Sequence, residues 1–284
     1  MAVSVSTRSA PSNDPAPHNR PISVFWRTVD FTRNAALILG LYFAYAAVRR
    51  VTADDWATAL SNGRTLLRIQ SSLGLPSEAS LQHAFFLPNP PIIRAANAFY
   101  MWGHFPITGT FMFWVWFKHR AHFGVIRNSI VTLTLSGLFL HIVYPLAPPR
   151  FFPSFGFVDT ARDFGPNPYD LAAAKAANQI AAMPSLHVGW AVLVAISVIA
   201  LCRSRWRFLA LIHPAVTTSV VVLTANHYWA DAIIAVILVL GAWVFTVRLA
   251  RVGLFSFTSL PRKEDPGPRV ASLHSSVGGN TDRS

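Results

Sequence analysis

The stretch His227-Tyr-Trp-Ala-Asp231, followed without a charge by Ala232-Ile-Ile-Ala-Val-Ile-Leu-Val-Leu-Gly-Ala-Trp-Val-Phe-Thr-Val247 and closed by Arg248, decides the fold. The apolar run 230–249 has about the 20 residues that cross a hydrocarbon core. Lipid offers the backbone no hydrogen bonds, so the run predicts a helix. Ionisable residues at the mouth of such a helix point to a functional site. His227 and Asp231 are four apart, which on a helix puts them on one face, where a carboxylate can hold an imidazole in a single tautomer. A histidine held in this way becomes a nucleophile.

Working outward, further apolar runs fall at about 31–48, 96–117, 128–146, 188–202 and 207–226. Together they predict an all-α, polytopic membrane protein, a six-helix transmembrane bundle occupying residues 25–256. Composition agrees, with 52% hydrophobic and only 13% charged residues. The polar segments 1–24 and 257–284 read as disordered tails, and residues 1–20 lack the pattern of a cleavable signal peptide. Cys202 is the only cysteine, which excludes an intrachain disulfide and a cysteine metal cluster. The formal charge of +12 sits in the tails and between apolar runs, so topology and anionic lipid explain it and no nucleic-acid partner is expected. Lys118, Arg120 and Arg127, Arg203, Arg205 and Arg207, and Arg248 and Arg251 then share the side of Arg33, predicting cytoplasmic termini. Between the first two runs, an amphipathic helix from Trp56 to Leu73 followed by Pro88, Pro90 and Pro91 is expected to lie along the interface.

In that topology Arg150, His187, His227 and Asp231 reach the same non-cytoplasmic surface. Two histidines, an aspartate and an arginine, without a ligand cluster for a metal, suit metal-free phosphoryl transfer. His227 would attack phosphorus, Asp231 would orient its ring, and His187 would protonate the departing oxygen. Arg150 offers a fork for phosphate oxygens, and Ser185 with the amides around His187 offers donors at a helix N-terminus.

Tyr144-Pro-Leu-Ala-Pro-Pro-Arg150, Met183-Pro-Ser-Leu-His187 and Asn226-His-Tyr-Trp-Ala-Asp231 resemble the three signature blocks of the type 2 phosphatidic acid phosphatase superfamily. The likeness covers roughly residues 94–250 and is strongest to the branch of inositol-phosphoceramide synthases, the inositolphosphotransferases, and their actinobacterial relatives. The resemblance implies a six-helix bundle, a phosphohistidine intermediate, no metal or other cofactor, and a bacterial plasma membrane. It assigns the nucleophile to His227, its partner to Asp231, the acid to His187 and phosphate binding to Arg150 and Ser185. Val143 and Val221 stand where the broad family carries a lysine and an arginine, Phe151 replaces a proline, and Leu186 a glycine. Two phosphate-binding cations are thereby missing, which fits the transferase branch. Asn97, Tyr100 and His104 form a polar stripe in the second run, and Tyr100 and His104 are expected to bind substrate in their place.

Expected partners are a membrane phospholipid or prenyl phosphate and a lipid or sugar alcohol acceptor. His141 and His213 read as structural, and the aromatics from Phe111 to Phe117 as lipid-facing. The Ala-rich stretch Leu171 to Ala182 reads as a short interfacial helix. A non-catalytic lipid-phosphate binder or transporter is the alternative, though binding alone has no need of a histidine with an orienting acid. A vanadium-dependent oxidase fits the membrane setting less well.

Overall fold

The computed structural model describes residues 24–167 and 179–253. The predicted tails and most of the Leu171 to Ala182 stretch lie outside the described residues. The chain forms α1 (Val24–Val51), α2 (Trp56–Ser72), α3 (Glu78–Leu81), α4 (Pro90–Ala98), α5 (His104–Lys118), α6 (Arg120–Val143), α7 (Thr160–Phe164), α8 (Leu186–Leu201), α9 (Ile212–Leu223) and α10 (Trp229–Arg251). Among the described residues there is no strand, only an isolated bridge between Leu146 and Ala181.

Among the described residues four stretches, Phe31–Val51, Arg120–Val143, Arg205–Leu223 and Trp229–Arg251, are long and apolar enough to cross a membrane, where the sequence predicts six. The difference has two sources. The expected second helix is divided by a π turn at Phe99–Gly103, and α8 is apolar but only 16 residues long.

α8 is nonetheless the centre of the bundle. Pro184 cannot continue a helix backwards and Ser185, extended at φ −73° and ψ 99°, caps the first turn; the helix ends where Cys202 returns to extended backbone. α5, α6, α9 and α10 pack around it, burying Val188, Gly189, Ala191, Leu193, Val194 and Ala195. Small residues permit the close approach. A Cβ on Gly137 of α6 would stand 2.7 Å from Leu186 Cδ2. Two polar contacts reinforce the packing, Ser129 Oγ with Thr246 Oγ1 at 2.6 Å and Trp190 Nε1 donating to Thr134 Oγ1 at 3.2 Å. Large apolar side chains such as Phe113, Phe117, Phe139, Ile237 and Phe245 point outward. In water such a surface would aggregate, whereas hydrocarbon accepts it.

The predicted amphipathic helix is present as α2, but its apolar face is not given to lipid. Ala59, Gly63, Leu66 and Leu67 pack on Leu146, Ala147, Phe152 and Tyr228. The Ala147 amide donates to Ala59 O at 3.1 Å and Asn62 Nδ2 to Pro145 O at 2.8 Å. α2 therefore covers the connection that follows α6. At its centre a Cβ on Gly63 would enter the Phe152 ring and stand 3.0 Å from Tyr228 Oη.

Gly63→Val should therefore cost about 1–3 kcal/mol by overpacking. Thermal unfolding in detergent checks this, with exposed Ala57→Val on the same helix as the control for β-branching and an unchanged midpoint expected there.

Candidate active site

Asp231 does two things at the head of α10. Tyr228 is the N-cap, extended at φ −91° and ψ 162°, and Asp231 at the third helical position turns back so that Oδ2 accepts the Tyr228 N–H at 2.9 Å. The same oxygen lies 3.2 Å from His227 Nδ1. His227 thus precedes the helix. The expectation that the pair meets across a helical face is corrected: it meets because a capping carboxylate folds back over the turn.

His227 Nδ1 has a second partner, Ala182 O at 2.8 Å. Both partners are acceptors, so Nδ1 carries the proton and Nε2 keeps its lone pair. The backbone is held as firmly, with the amides of Asn226 and His227 both donating to Val221 O at 3.0 Å. Burial lowers the His227 imidazole from 6.5 to about 4, the Ala182 hydrogen bond opposing the shift and the Arg150 guanidinium adding to it. The ring is therefore neutral at physiological pH.

The other predicted residues gather around this turn. The Ser185 amide donates to the Asp231 carbonyl at 3.3 Å, joining the first turns of α8 and α10. Ser185 is fully buried, and its Oγ accepts the Val188 N–H at 3.5 Å. The His187 ring centroid is 6.2 Å from that of His227, with the planes at 57°. Arg150 arrives on the Pro149–Phe151 3-10 turn, its amide donating to Ala225 O at 3.0 Å and Nη1 to Asn226 Oδ1 at 2.6 Å.

The polar stripe of the second run divides. Tyr100 stacks on His187 at 4.7 Å and His104 lies 4.9 Å from it, so both back the His187 ring. Asn97 instead donates to Thr160 O at 2.9 Å and Gly165 O at 3.1 Å, facing the α7 loop. A π turn takes more residues per revolution than an α turn, and the Phe99–Gly103 turn shifts the phase between Asn97 and His104. His213 stacks on His104 at 5.7 Å. His104 and His213 keep both ring nitrogens buried without a hydrogen-bond partner.

Sequence reasoning missed two residues here. Asn226 stands in the third block without a role and proves to be the acceptor for Arg150. Glu78 lies outside every block, one of three acids among the five arginines of residues 49–94. It is 2% exposed, and its Oε1 accepts the Trp229 amide at 3.1 Å and Gln70 Nε2 at 2.7 Å. No spacing marks it, and in a count of charges it only offsets an arginine.

Among the described residues no group of three or more His, Cys, Asp or Glu is arranged to hold a metal ion. What the site offers is a neutral imidazole with a fixed tautomer, a second imidazole across from it, a guanidinium, and the N-terminus of α8. That set can bind an oxyanion and exchange a proton with it.

Residues 64–245 match the family described as the PAP2 superfamily, and the chain belongs to it. With its apolar helices, membership makes this a membrane protein of phosphatase or phosphotransferase type acting on lipid phosphoesters. Comparisons with curated proteins and with solved structures give no match.

Asn226→Ala removes the buried acceptor of Arg150. Affinity for orthovanadate, a phosphate mimic, should fall about tenfold, the equivalent of one charge-assisted hydrogen bond. Titration calorimetry in detergent measures it, and unchanged affinity would detach Arg150 from anion binding.

Proposed function

We propose that this PAP2-superfamily chain is a six-span enzyme that cleaves a lipid phosphoester through a phosphohistidine, without a metal. On this reading the site opens on the non-cytoplasmic face of the plasma membrane, with both termini cytoplasmic. The observation that carries the reading is His227, whose Nδ1 is committed to Ala182 O and Asp231 while a second imidazole stands 6.2 Å away. A site built only to bind phosphate gains nothing from fixing one tautomer.

Each step balances. Nε2 of His227 attacks phosphorus, the P–O bond to the leaving group breaks, and His187 in its protonated form gives that oxygen a proton. Asp231 stabilises the imidazolium that forms on His227. In the second half a hydroxyl gives its proton to His187 as its oxygen forms a bond to phosphorus, and the N–P bond breaks. Water yields hydrolysis, whereas a lipid or sugar alcohol yields transfer. Arg150, Ser185 and the amides at the head of α8 hold the phosphate oxygens. Tyr100 and His104 pack against the His187 ring and would bind substrate beside it.

The phosphate of a phospholipid or prenyl phosphate remains at the interface because its tail stays in hydrocarbon. That matches a site at helix ends. The absence of cations at Val143 and Val221 favours a phosphodiester-like donor and transfer of a phospho-headgroup, inositol phosphate among the candidates, because a monoester dianion needs more positive charge.

His227→Ala should form no phosphoenzyme from either phosphatidylinositol or an activated aryl phosphodiester, with EDTA present throughout. His187→Ala should lose about a hundred- to ten-thousandfold on the lipid but recover most of that on the aryl substrate, whose leaving group needs no proton. A trapped phosphoenzyme in His227→Ala, or equal loss on both substrates in His187→Ala, overturns the assignment of roles.

The pH dependence follows from the lowered proton affinity of His227. The neutral, attacking form is present above about 4 and is lost as pH falls through that value. The acid limb of phosphoenzyme formation should therefore lie well below the 6.5 of a free imidazole. Rapid-quench measurement from pH 3.5 to 8 checks it; a limb near 6.5 would contradict the assignment.

A further inference from the structure

We propose that Glu78 is a positioning residue for the nucleophile, an inference that rests on the phosphohistidine reading of the site. The turn from His227 to Asp231 exposes the first amides of α10, which have no partner within the helix. Asp231 takes the Tyr228 amide and Glu78 takes the Trp229 amide, at 2.9 and 3.1 Å. The Tyr228 phenol is tied to Ala147 O at 2.7 Å. His227 has no hydrogen bond to Glu78, yet only Tyr228 separates it from the amide that Glu78 fixes.

Burial gives this contact its weight. Glu78 is 2% exposed and Tyr228 and Asp231 are fully buried, so losing this acceptor for the half-buried Trp229 is costly. The carboxylate is held from its own side by Gln70 Nε2 at 2.7 Å, and Gln70 belongs to the buried face of α2. The cover formed by α2 and α3 therefore reaches the catalytic turn through this oxygen as well as through the packing of α2 on Tyr228. Without that oxygen the Trp229 amide has no acceptor, and the turn is free to rotate His227 Nε2 off the line of attack. Misplacement by about 1 Å can cost a hundredfold in rate.

The role is one of reach and not of charge, and two conservative variants separate the two. Glu78→Asp keeps the charge but withdraws the oxygen by one methylene. Glu78→Gln keeps the reach and an acceptor but loses the charge. With full-length protein in detergent and the activated aryl phosphodiester as probe, Glu78→Asp should lower kcat by about ten- to a hundredfold with KM within threefold of wild type. Glu78→Gln should return kcat to within about fivefold of wild type. Thermal midpoints identify any variant that fails to fold, and Glu78→Gln, which preserves the contact, supplies the comparison even if Glu78→Asp is unstable. If Glu78→Gln lost as much kcat as Glu78→Asp or more, or if Glu78→Asp changed only KM or only the thermal midpoint, the proposal is overturned. His227→Ala is run alongside. If that variant turns over as wild type does, or wild type is inactive, the phosphohistidine reading fails and this inference falls with it; if His227→Ala alone is dead, the Glu78 variants test the inference by itself.

Discussion

One oxygen, Asp231 Oδ2, accepts the Tyr228 amide at the head of α10 and faces the Nδ1–H of His227. A helix that starts where lipid begins must find acceptors for its first amides within the protein, because water is excluded. Here the solution to that constraint also orients an imidazole. The carbonyl of the same residue receives the Ser185 amide, so the helix that carries His187 starts from the same point. Cap, tautomer and helix-to-helix register are thus set by one residue. A substitution there would release both side-chain interactions at once, while the backbone bond to Ser185 stays.

The readable part of the fold was the part that hydrophobicity controls. The run from Ala232 to Val247 predicts α10, and the apolar stripe from Trp56 to Leu73 predicts α2 to within a residue. The three blocks were readable for another reason: turns that place ionisable groups at helix mouths need particular residues at fixed spacing. Period alone could not show the π turn at Phe99–Gly103, because no composition distinguishes it from the α-helix on either side. The placement of His227 was misread for a related cause. Four residues apart suggests a helical face, while a capping aspartate produces the same proximity from outside the helix. Glu78 could not be found from sequence because its partner is a backbone amide, and an amide leaves no mark in a side-chain pattern.

The destination of α2 was equally hidden. An amphipathic helix next to apolar spans reads as one that floats at the interface. Its apolar face instead meets Phe152 and Tyr228 across Gly63, where there is no room for a side chain. The protein has made a tertiary contact from a pattern that lipid would have satisfied as well, and hydrophobicity does not distinguish the two partners.

The π turn at Phe99–Gly103 carries one residue more than the α-helix would need, and the positions beyond it owe their facing to that residue. Each residue of an α-helix advances the azimuth by about 100°. Because the turn absorbs that residue, deleting it would let the segment relax to α-helix with His104 and Phe105 still facing His187, whereas winding the present residues as α-helix would carry both round by that angle. Inserting one elsewhere in α4 would bring Asn97 round by the same step. The side chains behind the His187 ring therefore depend on how this turn is wound, and not only on the blocks that bear His187 and His227. Length, in this helix, is as much a determinant of the site as composition.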